Sequence, residues 1–233
     1  MSVSVVDINT SDGIGLSVAA TTYLDEYNYT ENIKNVNTQT AGNTQKTINN
    51  TDELPSVKSQ IEKIFLNTVS NAKDVFYDLV RKDTQKIKSL MLKFMQKHEH
   101  QLLFSQKKRK ELYEKSVPIF EKNRQSRITH FYYHTENLSS ADQNKIFLRV
   151  HNKEFFGDEP TRITFQKSKQ TDSWGTGLEL GKTAFALRVV HPYYLGTKKL
   201  GYVEFGQEID HFFGQIKKQI HSDIDLALVV KKE

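Results

Sequence analysis

The apolar positions change period along the chain. From Ser56, Ile61, Phe65, Ala72, Phe76, Leu79, Ile87, Leu90 and Phe94 recur at steps of three and four, with Thr68, Asp83 and His98 in the same stripe. This is one face of an amphipathic helix and predicts a single long helix over about 56–104, with no Gly or Pro to stop it. A stripe of that length needs a partner helix, in the same chain or in a second copy. The run FSQKKRKELYEKSVPIFEKNRQS predicts a second helix, with Ser105 as N-cap, Leu112, Tyr113, Val117 and Phe120 as its apolar face, and a kink at Pro118.

After Arg127 the period drops to two. Strands are predicted at 128–135 and 145–152, then a short helix at 159–171 with Ile163 and Phe165 inward, then strands near 175–181, 183–194 and 199–207. A closing helix carries Ile209, Phe212, Phe213, Ile216 and Ile220 on one face. The last strand-like run, IDLALVV, has no successor, so the sequence is expected to stop short of the end of its module. The fold class is therefore α+β: a long N-terminal helix or helical hairpin, then an antiparallel five-stranded sheet with flanking helices. Residues 1–55, rich in Thr, Asn and Ser, read as a poorly ordered or linker-like segment, 56–126 as the helical region and 127–233 as the sheet module, truncated at its C-terminal end.

Composition removes several chemistries. The 233 residues contain no cysteine, which excludes disulfides, zinc ribbons, thiol catalysis and covalent haem attachment. No apolar run is long enough to span a bilayer, and the N-terminus lacks the basic and apolar regions of a signal peptide. Nucleotide, Ser-hydrolase and zinc-protease motifs are absent, so no catalytic residue and no cofactor is expected. His98 and His100 lie two apart on a helix and diverge, and the strand histidines are scattered, so no metal site is expected. The net charge of +5 is concentrated in 58–127, which carries +9, against −5 in 1–57 and +1 in 128–233. Without a nucleic-acid-binding motif, the cluster QKKRKELYEK reads as a solvated helix face, with anionic lipid as an alternative and no nucleic-acid partner expected.

Some strand positions carry polar chemistry where a sheet face should be plain. Period two puts Phe147, Arg149 and His151 on one face of their strand, with Ile146, Leu148 and Val150 on the other. An aromatic, a guanidinium and an imidazole together suit a carboxylate ligand, although a surface Arg on an exposed face has the same pattern. Arg188 shares a face with Ala184, Ala186 and Glu179, and a tight turn at 181–182 would set Glu179 opposite Ala184. Arg188 either waits for a ligand carboxylate or is tied to Glu179 or Glu204 as a structural pair. Trp174, the one tryptophan, walls a pocket or is core or rim packing.

The strings RITHFYYHTENL, FLRVHNKEFFGDEPTRITFQKS, GLELGKTAFALRVVHPYY and KLGYVEFGQEIDHF resemble the double-Cache, PAS-like sensory domain of bacterial chemoreceptors, sensor histidine kinases and diguanylate cyclases. The likeness covers about 75–230 and is strong over 127–213, with none in 1–55. It implies a non-catalytic module of two-component or chemotaxis signalling on the periplasmic or extracellular side of a bacterial inner membrane. A small molecule, a carboxylate among the candidates, would bind in the cup of the sheet at Arg149, His151, Trp174, Glu179 and Arg188. The long helix would form a homodimer and relay the signal, and a membrane anchor absent from this chain would precede it. The competing expectation is a structural or protein-interaction module that uses the long basic helix and binds no small molecule.

Overall fold

The structure, a computed structural model, describes residues 2–9, 15–22, 57–136, 144–180, 185–220 and 225–230. The chain divides into two compact units, residues 1–76 with 213–233, and residues 77–212. In the first, β1 (Ser2–Asn9), β2 (Gly15–Thr22) and β8 (Asp225–Val230) form an antiparallel sheet in the order β1-β2-β8. The final strand-like run thus finds a partner near the start of the chain. Of the 1–55 segment read as poorly ordered or linker-like, residues 1, 10–14 and 23–55 lie outside the described residues.

The long helix is interrupted. α1 runs from Val57 to Met95, Lys97 is extended, and α2 begins again over His98–Ser105. The expectation of one helix to residue 104 is corrected by the packing the break permits. Phe94 and Phe104 both reach Tyr193, with ring centroids 5.9 and 6.1 Å away, and His100 is buried where His98 is exposed. A straight helix would hold Phe94 and Phe104, ten residues apart, about 15 Å from each other along its axis. Upstream the stripe is regular: Val69, Ala72, Phe76, Leu79, Ile87, Met91 and Phe94 are buried at steps of three and four, with Asp83 filling the gap. α3 spans Arg109–Arg124. Ser105 does not cap it; the hydroxyl donates to the Leu102 carbonyl at the end of α2 (2.8 Å), and Pro118 sits inside α3 without ending it.

The second unit holds the expected antiparallel five-stranded sheet, in the order β4 (Ile146–Arg149), β3 (His130–Thr135), β7 (Lys198–Glu208), β6 (Phe185–Leu195), β5 (Gly175–Leu180). One face is apolar. Phe131, Tyr133, Val189, Tyr193, Val203 and Phe205 are buried there, and Phe94 meets the rings of Phe131 and Phe205 at 5.0 and 5.9 Å. At its edge Asp83 of α1 accepts hydrogen bonds from Gln207 of β7 and from His211, the second residue of α5 (Asp210–Ile220).

The other face is covered by α4 (Ile163–Thr171). Phe165 points inward as expected, but Ile163 is 52% exposed; Thr164 and Ser168 complete the buried side instead, because residues one turn apart share a face. Gly175 makes the contact possible. A Cβ there would sit 1.9 Å from the Thr164 carbonyl oxygen, so α4 lies directly on the β5 backbone. Gly175→Ala is expected to lift the start of α4 and to cost about 3 kcal/mol, the upper end of ordinary overpacking. Denaturant titration of the variant checks this, and unchanged stability would mean that α4 is not held this closely.

Candidate ligand-binding site

Antiparallel register decides what shares the α4-covered face. Tyr132 pairs with Glu204, Glu204 with Val190, and Val190 with Gly175; Gly206 lies between His130 and Arg188, and Arg188 pairs with Gly177. Alternation then brings His130, Tyr132 and His134 of β3, Glu204 of β7, Arg188 of β6 and Glu179 of β5 to one polar layer. Gly177 and Gly206 flank Arg188 with no side chain of their own, which leaves room for its guanidinium.

Glu204 is the centre. It is wholly buried and takes hydrogen bonds from three elements: Arg188 Nη1 at 2.7 Å, Arg162 Nη1 at 3.1 and 3.2 Å, and His134 Nε2 at 3.0 Å. A carboxylate only accepts, so the His134 proton sits on Nε2. Burial alone would push the Glu204 carboxyl up, but Arg162, His134 and Arg188 together hold it far below the usual carboxylate range. Arg162, one residue before α4, also donates to the Tyr132 hydroxyl (3.1 Å). The Tyr132 ring has three guanidiniums around it, those of Arg162, Arg149 and Arg188, at 4.7, 5.5 and 5.9 Å.

The histidines of this face are neutral. Burial, with Arg188 and His151 nearby, lowers His130 to about 3, and burial lowers His151 to about 4 against the help of the Phe131 backbone. His134 is lowered by burial despite its Glu204 partner. Glu179 is displaced the other way. Burial raises its carboxyl and the charge of Glu204 adds to this, while the Thr164 N–H, donating at 2.6 Å, opposes it.

Four buried polar atoms in this layer have no hydrogen-bond partner among the described residues: Arg188 Nε, Glu179 Oε2, His134 Nδ1 and Thr164 Oγ1. The first two face each other at 3.8 Å, too long for a hydrogen bond. Among the described residues, no group of three or more His, Asp or Glu is placed to hold a metal ion.

The residues expected from the sequence divide unevenly. Glu179 and Arg188 are in the cluster, and the Arg188–Glu204 pair that the sequence allowed is present. Glu179 lies opposite Ala186 and not Ala184, an even shift that keeps its face. Arg149 is at the margin, held by Asp158 through two bonds of 2.7 Å and by the Phe155 carbonyl at 2.8 Å. His151 packs against His130 and Tyr132 at 4.9 and 4.7 Å. Phe147 does not join Arg149. The β3–β4 register shifts between Tyr133 and His134, and Phe147 packs on Phe104 of α2 at 5.3 Å. Trp174 precedes Gly175 and so faces the helices, with His191 at 4.1 Å and the Lys88 ammonium over its ring at 5.1 Å. Arg162, Tyr132 and His134 were not anticipated. Period two would have exposed Tyr132 and His134, but Arg162 owes its place to α4.

A sheet with helices on one face and a short helix closing a polar cup on the other is the plan of a Cache-type sensory module. The chain belongs to the double sensory domains of two-component sensor kinases, a family that matches residues 63–233, and it is a non-catalytic sensory domain of signal transduction. Among solved structures, the ligand-binding domain of the Campylobacter jejuni chemoreceptor Tlp3 with L-norvaline is 12% identical at a TM-score of 0.47, covering 67% of this chain and 63% of that one. The sensory domain of the same receptor with isoleucine bound is 12% identical (TM-score 0.46; 69% and 66% covered). The ligand-binding domain of Mlp24 with asparagine is 14% identical (TM-score 0.33; 64% and 62% covered). This chain thus spans slightly less than two thirds of the Tlp3 domains. Among curated proteins none matches it significantly. No helix among the described residues is long and apolar enough to cross a membrane.

Proposed function

We propose that this domain senses a small molecule bearing a carboxylate, which enters the layer between α4 and the sheet and bonds to Arg188. The observation that carries this reading is that four of the eight buried side-chain atoms without partners among the described residues, two donors or potential donors and two acceptors, share this one face. Native interiors satisfy nearly all such groups, so a cluster of exceptions marks a place built for something else. The ligand-binding relatives take amino acids, which carry a carboxylate. Arg188, Arg162, Glu179, His134 and Thr164 would hold the ligand, with Arg149 and His151 at the margin. β7 would pass the change on, because Glu204 faces the ligand while Gln207, three residues on, holds Asp83 of the long helix. Exposed Leu92 and Ile64 on α1 suit a homodimer through that helix, and a membrane-anchored receptor with this domain on the periplasmic side is the setting we infer.

A thermal-shift panel of amino acids and organic acids tests this. A compound at a hundredfold excess over its Kd should stabilise the wild type by about 2.7 kcal/mol. Thr164→Val removes an unpartnered hydroxyl, so it should fold normally yet lose most of that response. If no compound shifts the wild type, the cup is scaffold only.

A further inference from the structure

Glu179 is a carboxyl placed where a bound carboxylate would have to go. Its Oε1 is occupied by the Thr164 N–H. Its Oε2 is buried, unpartnered, and faces Arg188 Nε at 3.8 Å. Arg188 Nη1 donates to Glu204. A ligand carboxylate that takes the free Nε therefore arrives beside Glu179 Oε2. Two carboxyl groups in contact do not both stay ionised; they share one proton. Building on the carboxylate reading above, we propose that Glu179 takes up a proton as the ligand binds and donates it to the ligand carboxylate, so that this sensor binds its ligand more tightly as pH falls.

The groups around Glu179 favour this residue as the proton carrier. Arg188 on β6 and Arg162 before α4 are cations that stay charged. Glu204 on β7 is fixed in its ionised form by three donors. His134 and His130 on β3 are neutral and face two guanidiniums, which opposes their charging. Burial pushes both acids of the layer toward their neutral form, and only in Glu179 do the neighbouring donors fail to reverse it. No reactant beyond a solvent proton is required, and charge balances, since the entering negative charge is cancelled by the proton.

The test uses acetate and propionate as probes, with chloride as control. One coupled proton changes affinity by up to about tenfold per pH unit. Wild-type affinity should therefore rise several-fold to about a hundredfold between about pH 8 and about pH 6, with uptake of up to about one proton per bound anion measured by calorimetry in two buffers of different ionisation enthalpy. Glu179→Gln keeps a hydrogen-bond donor beside the anion and should bind equally well across that range. If the wild type binds the probes with no pH dependence and no proton uptake, the linkage is wrong while the carboxylate reading survives. The same holds if Glu179→Gln retains the full pH dependence, which would move the proton to a histidine. If no carboxylate binds the wild type at any pH, both ideas fall. The calorimetry needs only the wild type, so a Glu179→Gln chain that does not fold leaves the proposal exposed to refutation.

Discussion

Glu204→Ala should cost the sheet module about 3–5 kcal/mol of its stability. The substitution strips Arg188 of its only hydrogen-bonding acid and Arg162 of its carboxylate, in a site where Arg188 is 1% exposed. Removing one partner of a buried pair typically costs about 3–5 kcal/mol, because the remaining charge is stranded away from water. That is a large share of the stability of a domain of this size, roughly 5–15 kcal/mol. Glu204→Gln should be milder, since the amide oxygen still accepts one bond. Replacing Glu204 and Arg188 together, by Met and Leu, should recover the part of the loss that comes from stranding Arg188, while Arg162, whose side chain is 20% exposed, still lacks its carboxylate. Denaturant titration of the three variants tests the argument. Equal and small losses in all three would mean that the cluster is solvated in solution.

The second large effect is loss of stability in mild acid. His130 and His151 are neutral in the fold down to about 3 and about 4, whereas in the unfolded chain each protonates near 6.5. Between these limits the unfolded state binds more protons, so stability is complete above the unfolded value and falls as pH falls. Each histidine contributes a slope of up to about 1.4 kcal/mol per pH unit. Both act between about pH 6.5 and about pH 4, and His151 stops contributing first. Glu204, held low, adds its own loss once the pH drops below the ordinary carboxylate range, while Glu179, raised, acts in the opposite sense. Denaturation midpoints at successive pH values should show this slope, to which the lowered His134, His100 and His191 also add, and His130→Asn should reduce it by up to about 1.4 kcal/mol per pH unit. A flat profile down to pH 5 would contradict the burial of both imidazoles.

The faces of the strands were readable from period two, and so was the order of elements, because alternation is a local property of the chain; at Arg188 the sequence left Glu179, Glu204 and a ligand open. What failed was set by single-residue offsets and by long-range packing. Trp174 and Gly175 are neighbours, yet one faces the helices and the other the cup, and only the observed register tells which. Phe147 was lost to a bulge that no residue type announces. The break at Lys97 has no Gly or Pro to mark it; it exists because Phe94, His100 and Phe104 all pack toward the sheet. Arg162 reaches Glu204 across 42 positions of sequence, and its role follows from α4 resting on Gly175. The strand alternation of Ser2-Val3-Ser4-Val5 was available but sits in a stretch whose composition suggested a linker.

The way Glu204 is held, by donors from β3, from the approach to α4 and from β6, also constrains how this sensor changes over evolutionary time. Losing any one of the four charged or polar members alone leaves an orphan in the interior. Routes from this cup to a more apolar one therefore run through paired substitutions or through an intermediate whose lone charge is met by a ligand. In that second case the ligand would be a folding partner before it became a signal, and its specificity would be inherited from the charge it first had to neutralise.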